Sequence, residues 1–105
     1  MTDKRLVFST VADIEEARQI ARSLVDKQLA ACVNIVGPIH SIYRWKENIE
    51  ESDEILLVIK TTAEVFPRLR DELKILHSYE VPECISVNIE DGLPEYLKWI
   101  GESVR

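Results

Sequence analysis

Apolar residues along the chain switch between a period of two and a period near 3.6, and the switches mark the elements. Residues 5–10, RLVFST, are rich in β-branched and aromatic types and predict a strand. Asp13 then precedes Ile14, Ala17, Ile20, Ala21, Leu24 and Val25 at helical spacing, and Glu16 completes a capping-box pattern. That helix is expected to stop near Lys27 or Gln28. A long extended segment follows, Ala30 to Trp45, in which Gly37-Pro38 predicts a bulge because proline cannot donate to a ladder. Beyond it Ile39, Ser41, Tyr43 and Trp45 share one face, and His40, Ile42 and Arg44 the other. KENIEES reads as a turn, and Asp53 to Thr62, DEILLVIKTT, as a strand apolar on both faces and therefore covered on both sides.

The second helix spans about Ala63 to His77, with Phe66, Leu69, Leu73 and Leu76 facing inward and Pro67 in the first turn, where a missing N–H costs least. Ser78 to Glu83 crosses to a strand over Cys84 to Glu90, and Pro94 opens a short third helix, EYLKWIGES. The order β-α-β-β-α-β plus a C-terminal helix predicts an α+β domain with a ferredoxin-like, split βαβ arrangement, an antiparallel sheet with helices on one face. One length does not fit a monomer. A strand of roughly 15 residues spans about 50 Å, whereas a helix of roughly 15 residues covers about 22 Å. The central hairpin overshoots its helices while still carrying Ile39, Ile42, Tyr43 and Trp45, so a second copy of the chain is the expected cover.

The 105 residues make a single domain, 46% hydrophobic and 30% charged, which is ordinary for a globular protein. Net charge is −6, against the basic face that nucleic acid requires. No apolar run is long enough for a bilayer and the N-terminus lacks a signal-like stretch, so no membrane partner and a cytoplasmic location are expected. Cys32 and Cys84 form no CxxC pair and are expected to be reduced and partly buried. Three scattered glycines exclude a phosphate-binding loop. An acylphosphatase on this fold would need a backbone cradle and an arginine at the first strand–helix turn. That turn is the acidic STVADIEE, and no paired nucleophile and base appear elsewhere.

Candidate chemistry is densest in HSYEVPEC, His77 to Cys84. His77 offers an imidazole to a metal, or else serves the free carbonyls at a helix end. Cys32 is a second candidate metal ligand, with a buried structural thiol as its alternative. Tyr79, Glu80 and Glu83 line a candidate cleft, with Glu83 expected to pair with Lys60. Val81-Pro82 enforces an extended crossing. Tyr43, Arg44 and Trp45 read as interface rather than as a stacking platform. Glu47, Glu50, Glu51, Asp53 and Glu54 read as a solvated hairpin tip.

LAACVNI (29–35), SIYRW (41–45), IEES, IKTT (59–62), HSYEVPEC and YLKWI (96–100) occur in that order. Together, and over essentially the whole chain, they closely resemble the CutA family of divalent-cation tolerance proteins. The resemblance implies a ferredoxin-like subunit in a tight homotrimer of PII-like architecture, linked to divalent metal tolerance and copper binding and without a defined enzymatic activity. Copper-binding members use a first-strand thiol and a histidine pair. Here Ser9, Leu76 and His77 stand at those positions, and Ser78 replaces the usual proline. The implied cofactor is a weakly held copper or another divalent cation. A PII-like regulatory module with a small ligand between subunits is the alternative.

Overall fold

In the computed structural model, which describes residues 2–105, the elements run β1 (Lys4–Val11), α1 (Ile14–Asp26), β2 (Cys32–Trp45), β3 (Asn48–Thr62), α2 (Phe66–Leu76), β4 (Ile85–Asn88) and α3 (Pro94–Ser103). The four strands form one sheet in the order β2-β3-β1-β4, and every neighbouring pair is antiparallel. Side chains alternate across the sheet. Val7, Val11, Leu57 and Ile59 therefore meet Ala17, Ile20 and Leu24 of α1 and Leu69 and Leu73 of α2 in one core, which Ile100 of α3 joins.

α1 begins where the sequence places it. The Asp13 carboxylate accepts from the Glu16 N–H at 2.8 Å, closing the first turn. The Glu16 carboxylate does not return to its capping partner. It accepts from the Ala12 N–H at 3.4 Å and, across the fold, from Ser78. At the other end Leu29 N–H reaches back to Leu24 C=O at 2.9 Å, with Gln28 at φ 58° in the left-handed region that reverses the chain. α2 starts later than expected, at Phe66, with Pro67 in its first turn.

Three boundaries differ from the sequence reading. KENIEES is not a seven-residue turn. Only Lys46 and Glu47 turn, at φ 50° and 71°, the paired positive values of a tight two-residue hairpin. β3 consequently starts at Asn48, five residues before Asp53. β4 is only Ile85–Asn88, so Cys84 precedes the strand rather than opening it. The bulge expected at Gly37-Pro38 is present as a register shift between Val36 and Ile39.

β1 pairs with β3 only from Ile55 to Thr62. From Ile39 opposite Glu54 to Trp45 opposite Asn48, β2 and β3 pair with each other alone. This two-stranded arm draws the molecule out to 44 × 25 × 22 Å. Ile42 and Ile49 on it are 66% and 62% exposed. An isolated ribbon is marginal in water, so the arm needs a surface to rest on. Replacing Asp13 by Ala leaves the Glu16 N–H without its acceptor and is expected to cost about 1 kcal/mol of stability, read as a lowered urea midpoint with unchanged slope.

Candidate functional site

The HSYEVPEC segment is assembled from three elements that converge at one end of the sheet. β4 covers β1 only as far as Phe8, which leaves the edge of β1 beyond it to the crossing loop. His77, the C-cap of α2, fills that gap: its Nε2 lies 2.8 Å from Thr10 C=O. The Tyr79 backbone N–H donates to His77 Nδ1 at 3.0 Å. A backbone N–H can only donate, so Nδ1 accepts and the proton sits on Nε2, the neutral tautomer. Ser78 anchors the same turn to α1, its N–H and Oγ donating to the Glu16 carboxylate at 2.8 and 3.0 Å. His77 is buried, and its ring stacks obliquely on Tyr79 with centroids 4.7 Å apart. As expected, it ends the helix; both of its nitrogens are engaged in doing so.

Tyr79 carries the connection onward to the arm. Its phenol donates to Glu54 Oε2 at 2.7 Å. Glu54 is only 6% exposed, which corrects its reading as part of a solvated hairpin tip. Burial, and then the Glu54 carboxylate that the phenol serves, push the Tyr79 pKa well above the ordinary phenol value, so it remains a donor across the biological range.

Thr10, Glu54, Tyr79, Glu80, Val81 and Glu83 enclose a cleft together with the arm residues Ser41, Ile42, Tyr43 and Trp45, a cavity of about 640 Å³. The structure thus brings together Tyr79, Glu80 and Glu83 with three residues that the sequence assigned to an interface. Lys60 stands apart. It pairs in register with Cys32, donates to Asn34 Oδ1 and lies 3.8 Å from Cys32 Sγ, so the expected Lys60–Glu83 contact is replaced by a cross-strand one. Cys32 and His77 are likewise at separate places, one at the start of β2 and the other beside Thr10. Among the described residues no three His, Cys, Asp or Glu side chains are grouped to hold a metal ion. A copper or other divalent cation does not fit the donors of one chain as they stand. Both cysteines are free, and burial pushes the Cys84 thiol up, away from its reactive form.

Two features escaped the sequence. Ser9 Oγ, at the position where the resemblance implies a thiol, is a buried polar atom without a hydrogen-bond partner. On the arm, His40 bridges two carboxylates, Nδ1 to Asp53 and Nε2 to Glu51, each at 2.8 Å. Those contacts raise its pKa above 6.5, Asp53 contributing most.

The His40 bridge is expected to be pH-dependent. Since its folded pKa is raised, its contribution is fully present below the unfolded value and is lost as pH rises through the folded one. An NMR titration should place the His40 midpoint above that of an Asp53→Asn variant. Tyr79→Phe removes the phenol from a buried carboxylate and should cost about 1–3 kcal/mol, visible in thermal unfolding and absent for Tyr96→Phe on the exposed side of α3.

The comparisons with known proteins agree with this architecture. Residues 5–103 match the family model described as CutA1 divalent ion tolerance protein. The chain is 47% identical to the divalent-cation tolerance protein CutA of Thermus thermophilus, over 95% of its own length and 97% of that protein's. It is 45% identical to the same-named protein of Archaeoglobus fulgidus, over 94% and 96% respectively. The solved Thermus structure superposes with a TM-score of 0.95 over 97% of this chain and 99% of that one. CutA of Xylella fastidiosa, 43% identical, gives 0.96 over 99% and 100%. With the model match spanning nearly all of the sequence, the chain belongs to the CutA1 divalent ion tolerance protein family.

Proposed function

We propose that this chain works as a homotrimer of ferredoxin-like subunits in the cellular response to divalent cations such as copper, without catalysing a reaction. The observation that carries the assembly is the second face of the sheet. Leu6, Phe8, Leu56 and Val58 alternate with the buried core residues, so they point away from α1 and α2. Val87 and Ile85 extend this face on β4, and Ile85 is 54% exposed. Covering a Leu or Phe side chain is worth about 1.5–3 kcal/mol. Several such residues and the unsupported arm favour burial against copies of the same chain, with Ile39, Ile42, Tyr43 and Trp45 at the contact. The number three comes from the family's architecture.

The family's description as tolerance proteins supports the cation response and names no reaction. A cytoplasmic setting suits two unpaired thiols. Within one chain the donors are incomplete, so a copper site needs His77 released from its contacts and further ligands from a neighbouring subunit. Cu²⁺ leads the divalent first-row series and is the probe of choice. A second reading is favoured by the cavity itself. A cleft of about 640 Å³ between arm and crossing loop has the size of a small-molecule site, and its arm side, Tyr43 and Trp45, belongs to the proposed subunit contact, between whose copies a PII-like regulatory module would hold its ligand.

Calorimetric Cu²⁺ titration of the wild type and His77→Ala tests the metal site. We expect micromolar or weaker binding that the variant loses by at least about tenfold. Equal binding by the variant would remove His77 from the site. Trp45→Glu should shift sedimentation toward smaller species, since it places an unpaired charge in an apolar contact. Unchanged sedimentation would take Trp45 out of the interface.

A further inference from the structure

β2 is an outer strand of the sheet, and before the bulge its residues Val33 and Ile35 stand beside α1. Val33 packs on the intrachain core, and Ile35, two residues on, shares its side of the strand. Between strand and helix runs a groove of about 620 Å³, within the range of small-molecule sites. It lies on the helix side of the sheet and contains none of the arm residues, so the proposed subunit contact leaves it open. Its floor is apolar: Ala21 and Val25 of α1 together with Val33 and Ile35, of which Val25 and Ile35 are exposed.

The rim is basic. Arg18 and Arg22 stand one turn apart on the same side of α1, both exposed, where like charges repel. Lys27 and Arg70 find carboxylates at Glu72 and Asp71. Arg18 and Arg22 have no ion pair or side-chain hydrogen bond among the described residues, although the chain carries a net charge of −6. Asp26, a turn beyond Arg22, is the single carboxylate among the described lining residues.

A neutral apolar molecule would cover the floor and leave both guanidiniums as they are. An organic cation would meet two like charges against one carboxylate. A monocarboxylate brings one charge, and its two oxygens engage one guanidinium fork. A phosphate monoester carries about −1.5 to −2 charges at neutral pH and three terminal oxygens, enough for both arginines. Its ester group can then lie on the apolar floor. Asp26 repels a second anionic group, so the ligand carries its charge at one end only. We propose that this groove binds a small phosphate monoester, its phosphate between Arg18 and Arg22 and its apolar body over Val25, Val33 and Ile35. The site is separate from the arm cleft and from any metal, and stands or falls apart from both.

The test is an NMR titration of the labelled, assembled protein with phenyl phosphate, inorganic phosphate and phenol. Phenyl phosphate should saturably shift the Arg18 and Arg22 Nε–H signals and the amides of Val33 and Ile35. The Arg18→Gln/Arg22→Gln variant, altered only at exposed positions, should bind it at least about tenfold more weakly. Added salt should weaken binding in the wild type. Inorganic phosphate should bind at least about threefold more weakly for want of an apolar body, and phenol should give no saturable shift. Equal binding by the double variant would overturn the arginine site. Inorganic phosphate binding as tightly as phenyl phosphate would overturn the role of the apolar floor. Phenol binding as tightly would overturn the phosphate class, and no saturable shift from phenyl phosphate would remove the site.

Discussion

β3 is apolar on both of its faces, and the helices of its own chain cover one. Leu57 and Ile59 are fully buried against α1 and α2, while Leu56 and Val58 point to the other side beside Leu6 and Phe8. The last four are half-buried and Ile85 and Val87 beside them are exposed, and an apolar patch of this kind marks an interaction surface. The long arm adds to the demand, because its strands continue past the last residue of β1 with only each other for partners. The second face and the arm, rather than the intrachain core, are therefore what the proposed subunit contact has to cover.

A single relay of hydrogen bonds ties the helices to that arm. The Glu16 carboxylate at the start of α1 holds Ser78. His77 spans from α2 to Thr10 C=O, and Tyr79 passes from His77 Nδ1 to Glu54 at the arm's root. Each buried polar group in the relay has a partner, which a low-dielectric setting makes costly to lose. The same contacts fix the floor and one wall of the cleft, so a segment that looks like a reactive cluster does structural duty first. Around it Glu80 and Glu83 remain exposed.

Much of the fold was legible because its signals are local. Asp13 and the spacing from Ile14 to Leu24 set α1, Gly37-Pro38 set the bulge, and the two-faced apolarity of residues 53–62 pointed to cover on both sides. The hairpin turn was not legible. Lys46-Glu47 lacks the glycine or asparagine that positive φ favours, so nothing in the residues marks a two-residue turn. That misreading hid the register, and with it His40 opposite Asp53 and Glu54 opposite Ile39. With the turn at Lys46-Glu47, period-two counting places Glu54 on the same side as Leu56 and Val58, a carboxylate on an apolar face. Tyr79, Glu80 and Glu83 were grouped by sequence and lie together around one cavity, but Lys60 was not separable from them by sequence. Lys60 sits opposite Leu6 on β1 and Cys32 on β2, a register that no local pattern encodes.

The central claim is that this chain buries the second face of its sheet against two others. Static light scattering across micromolar concentrations measures it directly. The account predicts a constant mass of three times the 12.1 kDa subunit. A monomer mass over that range would mean that the half-buried Phe8, Leu56 and Val58 and the exposed Ile42 and Ile49 gain no further cover, and would contradict it.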